Sequence, residues 1–159
     1  MAFTFGAKSR SELKGVHPKM VRFAELTLCY SAQDFGIHDG LRTTAEQAEY
    51  VRTGASQTMN GKHLKQKDGW GHAIDAVPFI NGKLRWEWPP IYVIAAAAKR
   101  AAAELGLRVK WGGAWIELSQ IKGDTPADME RAVEAYGAAR RRAGKKVFTD
   151  GPHFELVEG

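Results

Sequence analysis

Apolar residues recur along this chain with two different periods, and the changes of period mark its elements. Val21, Ala24 and Leu28 follow Pro18 at helical spacing, which predicts a helix over 18–31 with proline at its natural first position. DFGIHDGLRT predicts a short strand, a turn at Asp39-Gly40 and an exit into a helix at about 45–53. Two overlapping capping patterns, Thr43 with Glu46 and Thr44 with Gln47, open that helix, and Gly54 stops it. HAIDAVPFI at 72–80 reads as a strand with Ala73, Asp75 and Val77 on one face. Asn81-Gly82 then turns the chain back through Lys83–Trp86. Pro89-Pro90 opens an alanine-rich helix that ends near Leu105 with Gly106 as its stop, and 107–111 forms a short strand before Gly112-Gly113. Asp124 or Thr125 caps a further helix, with Pro126 at its first position, Met129, Val133 and Tyr136 as its apolar stripe and Gly144 at its end. A last strand is expected over 146–149 and 153–157. This order of elements, without repeats or linkers, predicts one α+β domain.

At 159 residues the chain can bury a core without disulfide help. Its one cysteine, Cys29, permits no intrachain disulfide and no cysteine-rich metal site, so any metal must be held by His, Asp or Glu. Cys29 lies in an apolar helical stretch and is expected to be buried. A net charge of +5 and a pI near 9.4 favour an anionic partner, for which nucleic acid, a membrane surface and an anionic cell wall all qualify. The first residues lack the apolar core of a signal peptide, and the longest apolar run, 91–98, is too short to cross a bilayer. A soluble cytoplasmic chain is expected, which something else must release if it acts outside. Arg140, Arg141 and Arg142 compensate a helix dipole or meet a polyanion.

The candidate chemistry rests on histidines and carboxylates. His17 reads as a loop or capping residue and His38 as a turn neighbour. His72 lies three residues from Asp75 and in a strand points to the opposite face, so the two should not share a metal. If 64–71 folds back as a loop, His63 can return beside Asp75 on an adjacent strand. His153 and Glu155 face the same way in a strand, with Asp150 in the Asp-Gly-Pro turn before them. A histidine flanked by two carboxylates suits a hydrolytic metal centre, where one group binds metal, one manages protons and one orients the ligand. An ordinary strand end fits that segment as well.

Taken together, SRSELKGVHPKMV, DFGIHDGLRTTAEQAEYVRTGASQTMNGKHL, GHAIDAVPF, RWEWP, AAAELGLRVKWGGAW and FTDGPHFEL resemble the zinc peptidase family of D-alanyl-D-alanine carboxypeptidases, dipeptidases and phage L-alanyl-D-glutamate endopeptidases. The likeness is strongest to phage endolysins of the last type. The family pattern is S-x-H-x-x-G-x-A-x-D followed by E/D-x-x-H. The resemblance implies a hedgehog-like fold, a small antiparallel sheet with helices around it. It also implies one catalytic Zn2+ held by His63, Asp75 and His153, with Asp150 as general base and Arg42 near the substrate carbonyl. Glu155, Ser56 and Trp115 would then support the ligands or touch substrate. An Arg42→Ala variant would be expected to fold but to be severely impaired. Four departures bear on this. Gly61 stands at the serine position, KQKDGW lengthens the turn after His63, a helical insertion occupies about 117–146, and Ala114 replaces the aspartate of a WGGDW motif.

The function implied is a peptidoglycan hydrolase that cuts the L-alanyl-D-glutamate bond of the stem peptide during host lysis. It would wait in the host cytoplasm until the membrane is permeabilised. A monomer is expected, with residues 1–159 as one catalytic domain, no separate wall-binding domain and no nucleic-acid partner. A D-Ala-D-Ala carboxypeptidase or dipeptidase with the same zinc site is the enzymatic alternative. A non-catalytic polyanion-binding protein using the Arg140–Lys146 region is the alternative of another class.

Overall fold

In the computed structural model, which describes residues 3–56, 58–59 and 61–157, five α-helices and six β-strands are interspersed along the chain. They are α1 (Ala7–Glu12), α2 (Pro18–Tyr30), β1 (Phe35–Asp39), α3 (Thr44–Arg52), β2 (Ala73–Ile80), β3 (Lys83–Leu84), α4 (Trp88–Leu105), β4 (Val109–Trp111), β5 (Ile116–Glu117), α5 (Pro126–Arg142) and β6 (His153–Leu156). The sheet runs β1-β2-β6-β4-β5 with every neighbour antiparallel, and β3 pairs with β2 beyond the β1 ladder. Sequence reading thus finds the α+β class and the antiparallel sheet, but has no counterpart for α1 or β5.

Helices α2 and α4 cover one face of the sheet. Met20, Phe23, Ala24 and Leu28 meet Ile91, Ile94, Ala95 and Ala98, and all are buried with Ile74 and Phe154 of the central strands. The alanines let helix and sheet approach closely, while Phe23 and Phe154 fill the remaining depth with ring centroids 5.7 Å apart. Cys29 does not join this core. It is exposed, because Ala24 and Leu28 take the inward stripe and the next position turns about 100° away. No helix among the described residues is long and apolar enough to cross a membrane.

Local chemistry sets the boundaries. Thr43 and Glu46 form the capping box of α3, and Thr125 with Asp128 forms that of α5. Asn81 and Gly82 both adopt positive φ, as a two-residue hairpin turn requires. The return strand stops at Leu84, and residues 107–108 lie outside β4 because Leu107 closes the C-terminus of α4 through its N–H to Ala102. The strand expected over 146–149 is absent. Its carbonyls are taken by side chains instead: Arg140 Nε donates to Lys146 O, and Tyr136 Oη and Trp115 Nε1 donate to Phe148 O. A segment satisfied in this way needs no ladder.

Candidate active site

The register of the sheet assembles the site. Asp75 pairs with Asp39 of β1 on one side and with His153 of β6 on the other, so three titratable residues form a row across neighbouring strands. His63 reaches the row from a turn, not from the adjacent strand that the sequence suggested. Residues 64–71 fold back with Gln66 and Trp70 bonded across the loop. The turn is then tied down by Arg42 N donating to His63 O at 2.8 Å and His72 N to Lys62 O at 2.7 Å. Gly71 makes this approach possible: a Cβ there would lie 3.2 Å from both His63 O and Leu41 Cδ1.

His63 Nε2 lies 3.2 Å from Asp75 Oδ1, and His153 Nδ1 lies 3.5 Å from the same oxygen. All three ligand atoms fall within 4.8 Å of one another, and all three residues are buried. The other nitrogen of each ring is already occupied: His63 Nδ1 faces Gly40 O at 2.8 Å and His153 Nε2 faces Glu155 Oε1 at 2.8 Å. With those outer nitrogens engaged, His63 Nε2 and His153 Nδ1 are the ring atoms turned inward on the Asp75 carboxylate. Three acceptors converging in a buried space call for a cation. The observed separations match the edge of about 3.3 Å of a tetrahedron with arms of about 2.0–2.1 Å. The donor set therefore fits a divalent metal.

Without a metal, protons take part of that role. Burial works against charge on His153, but hydrogen bonds to Asp75 and Glu155 and the charges of Asp75 and Asp150 push its pKa up to about 10. Burial would raise Asp75, yet the charge of His63 and hydrogen bonds from both histidines hold it well below the usual carboxylate range. Asp150 goes the other way. Burial, reinforced by the charge of Asp75, raises it to about 6 against the opposing charges of His153, His63 and Arg42. Its position is fixed by backbone bonds from Asp150 N to Gly112 O and from His153 N to Asp150 O. Glu155 is held below its ordinary value despite burial, by its hydrogen bond with His153 and the charges of His153, Lys110 and Lys62.

Arg42 is buried in the wall beside Asp75. Its Nε and Nη2 both donate to Asp39 Oδ2, at 2.8 and 2.6 Å, and Nη1 donates to Gln47 Oε1 at 2.7 Å. Nη2 is also 3.6 Å from Asp75 Oδ2, and the guanidinium lies 4.0 Å above the Tyr50 ring. Gln47 passes the network on to Ser56 Oγ at 2.9 Å. Among the described residues, Ser56 is linked to the His63–Asp75–His153 cluster through Gln47 and Arg42. Sequence reading missed Asp39, Gln47 and Tyr50. The signals available were Asp39 three residues before Arg42, and the first turns of α3, which a capping box had already placed. Gly61 packs against this network: a Cβ there would meet the Gln47 amide at 3.3–3.4 Å, so a serine would require that amide to give way by a few tenths of an ångström.

Trp115 lies with its ring 5.4 Å from that of His153 and stacks on Phe148. Ala114 is buried in the core. His72 is outside the cluster, with Nε2 2.7 Å from Asp68 Oδ2, and His17 caps α2 by accepting from Lys19 N. The His63–Asp75–His153 cluster opens into a cleft of about 680 Å³ that also takes in Asp150, Arg42 and Glu155. Tyr136 and Arg140 bring α5 into its wall, and His38 and Trp86 line it as well.

The donor set of this site fits a metal, and it lies beside a carboxylic acid of raised pKa, a combination suited to hydrolysis of an amide. The chain's relatives are peptidases. The profile of the phage L-alanyl-D-glutamate peptidases matches residues 1–157. The L-alanyl-D-glutamate peptidase of Escherichia phage T5 is 31% identical over 158 residues, covering 99% of this chain and all of that protein. The crystal structure of the Serratia marcescens L-Ala D-Glu endopeptidase ChiX superposes with a TM-score of 0.69 at 37% identity, over 97% of this chain and 90% of that one. The chain is a member of the phage L-alanyl-D-glutamate peptidase family.

Proposed function

We propose that this protein is a zinc-dependent peptidoglycan hydrolase that cuts the amide between L-alanine and D-glutamate in the wall stem peptide, as an endolysin acting once the host membrane is permeabilised. The observation that carries the reading is one cleft holding the buried His63–Asp75–His153 cluster and Asp150, in a chain of this family. Three protein ligands leave one position of a tetrahedral site open, the pattern of catalytic zinc. Bound there, zinc would polarise the carbonyl and lower the pKa of water from 15.7 to about 7.

Asp150 is the general base and acid. A carboxyl raised to about 6 is ionised at neutral pH, yet basic enough to accept a proton from attacking water and return it to the leaving amine. Glu155 orients the His153 ring through its 2.8 Å contact with Nε2. Arg42 holds a positive charge beside Asp75 and stabilises the negative charge that develops on the carbonyl oxygen. The basic surface favours encounter with an anionic wall. The chain acts as a single catalytic domain.

The test joins metal analysis to product analysis. Purified protein is expected to carry zinc near stoichiometry and to expose new glutamate amines when it digests purified peptidoglycan. Release of free D-alanine would mark a carboxypeptidase instead. Lytic activity surviving in a His153→Ala variant, or protein purified active without divalent metal, would overturn the mechanism.

A further inference from the structure

The three arginines that end α5 have different surroundings. Arg141 folds back over its own helix, where a Cβ on Gly137 would lie 3.2 Å from its Nη1, and Arg142 is exposed. Arg140 is half-buried and lines the same cleft as the metal cluster. Its Nε donates to Lys146 O at 2.9 Å, which fixes the guanidinium against the segment leading to Asp150. One turn earlier Tyr136 donates to Phe148 O, so the wall of α5 is bonded twice to that segment.

The other cations of the cleft are already neighbours of carboxylates. Arg42 is paired with Asp39 and close to Asp75, and the charge of Lys62 acts on Glu155. Among the described residues no carboxylate lies within ion-pair distance of Arg140, and its two terminal nitrogens make no hydrogen bond. A guanidinium held by Nε, with its outer donors directed to no protein group, is prepared for a planar anion. The peptidase reading supplies one. A D-glutamyl residue acylated on nitrogen has two carboxyl groups, and the chain continues through at most one, so the substrate carries a free carboxylate next to the scissile bond.

We infer that Arg140 is a specificity-determining residue that binds this free carboxylate of D-glutamate, so that the enzyme distinguishes stem peptides carrying it from those in which it is amidated. The inference rests on the peptidase reading above. It makes α5 part of the substrate site as well as a surface helix.

The experiment uses two synthetic stem peptides, identical except that the free D-glutamate carboxyl is a carboxylate in one and a carboxamide in the other. The zinc-loaded wild type, Arg140→Gln and Arg140→Lys are compared by amine release. The wild type is expected to show a KM about 10- to 100-fold higher for the carboxamide, with kcat changed little. Arg140→Gln should treat both peptides as the wild type treats the carboxamide, and Arg140→Lys should recover part of the difference. Retained carboxamide turnover serves as the control for folding. Equal KM values in the wild type would overturn the inference without any variant. Discrimination persisting in Arg140→Gln, or an equal loss of kcat on both peptides, would also overturn it. Failure of the wild type to cut either peptide would overturn the peptidase reading, and this inference with it.

Discussion

Asp75 and His153 are direct cross-strand partners in β2 and β6, and this pairing sets the 3.5 Å separation of Oδ1 and Nδ1. Gly112 guards the pairing from the other side of β6, where its N–H donates to His153 O. A Cβ at Gly112 would come within 2.4 Å of Asp150 O and 3.0 Å of His153 Cβ. The obstacle is backbone, so it cannot rotate away. Gly112→Ala is therefore expected to cost about 1–3 kcal/mol of stability and to displace both Asp150 and His153. Thermal unfolding and activity should fall together; a variant of wild-type stability and activity would contradict the packing.

Glu155 tests whether ring orientation matters to metal affinity. It sits on the same face of β6 as His153 and accepts from the ring nitrogen turned away from Asp75. Glu155→Gln keeps the size but removes the charge, and zinc affinity is expected to weaken about 10- to 100-fold. Chelator competition measures this directly. Unchanged affinity together with lost activity would instead assign Glu155 to proton transfer.

How much of this could be read in advance depends on the range of each interaction. Caps, the hairpin at Asn81-Gly82 and the long helices follow from neighbours within a few residues, and periodicity finds them. The His153–Glu155 face follows from strand alternation in the same way. The meeting of His63 with Asp75 does not, because it depends on how the loop 64–71 closes against Gly71 and Arg42. Spacing allowed it as one possible closure of the loop, and the motif order of the family resemblance supplied the pairing. The apolar pair Val147-Phe148 looks like a strand, but long-range side-chain donors from Tyr136 and Trp115 remove its need for a ladder partner. Asp39 and Gln47 were hidden because their role is to satisfy Arg42, which no local pattern reveals.

The surroundings of Arg42 alter the phenotype expected from sequence. Arg42 and Asp39 are both buried and bonded to each other. Removing the guanidinium leaves Asp39 charged and unpaired, a change that typically costs about 3–5 kcal/mol. Arg42→Ala is thus expected to lose stability along with activity, whereas Arg42→Lys keeps the charge but not the three-way donation. Chemical denaturation of the two variants tests this. An Arg42→Ala protein as stable as the wild type would show that solvent reaches Asp39.

On the proposed function, metal and protons compete for the same space, which sets the pH behaviour expected of protein stripped with a chelator. His153 is pushed up to about 10 in the folded chain, against an ordinary value of 6.5. The stabilisation this brings is complete below about 6.5 and is lost as pH rises towards 10. Asp150, raised from 3.8 to about 6, acts in the same sense at lower pH: its contribution is complete below 3.8 and lost as pH rises through 6. Asp75 is depressed, so its contribution is present above 3.8 and lost only in stronger acid. Between pH 7 and 9 the His153 effect is the one still changing, and the Tm of the stripped protein is expected to decline across that range. Zinc must displace the His153 proton to bind, so titration calorimetry at pH 7.5 in buffers of different ionisation enthalpy should show release of about one proton per ion. The loaded protein should not share the decline, because the metal then occupies the position of that proton. A stripped protein whose Tm rises from pH 7 to 9, or zinc uptake without proton release, would mean that His153 is neutral before the metal arrives.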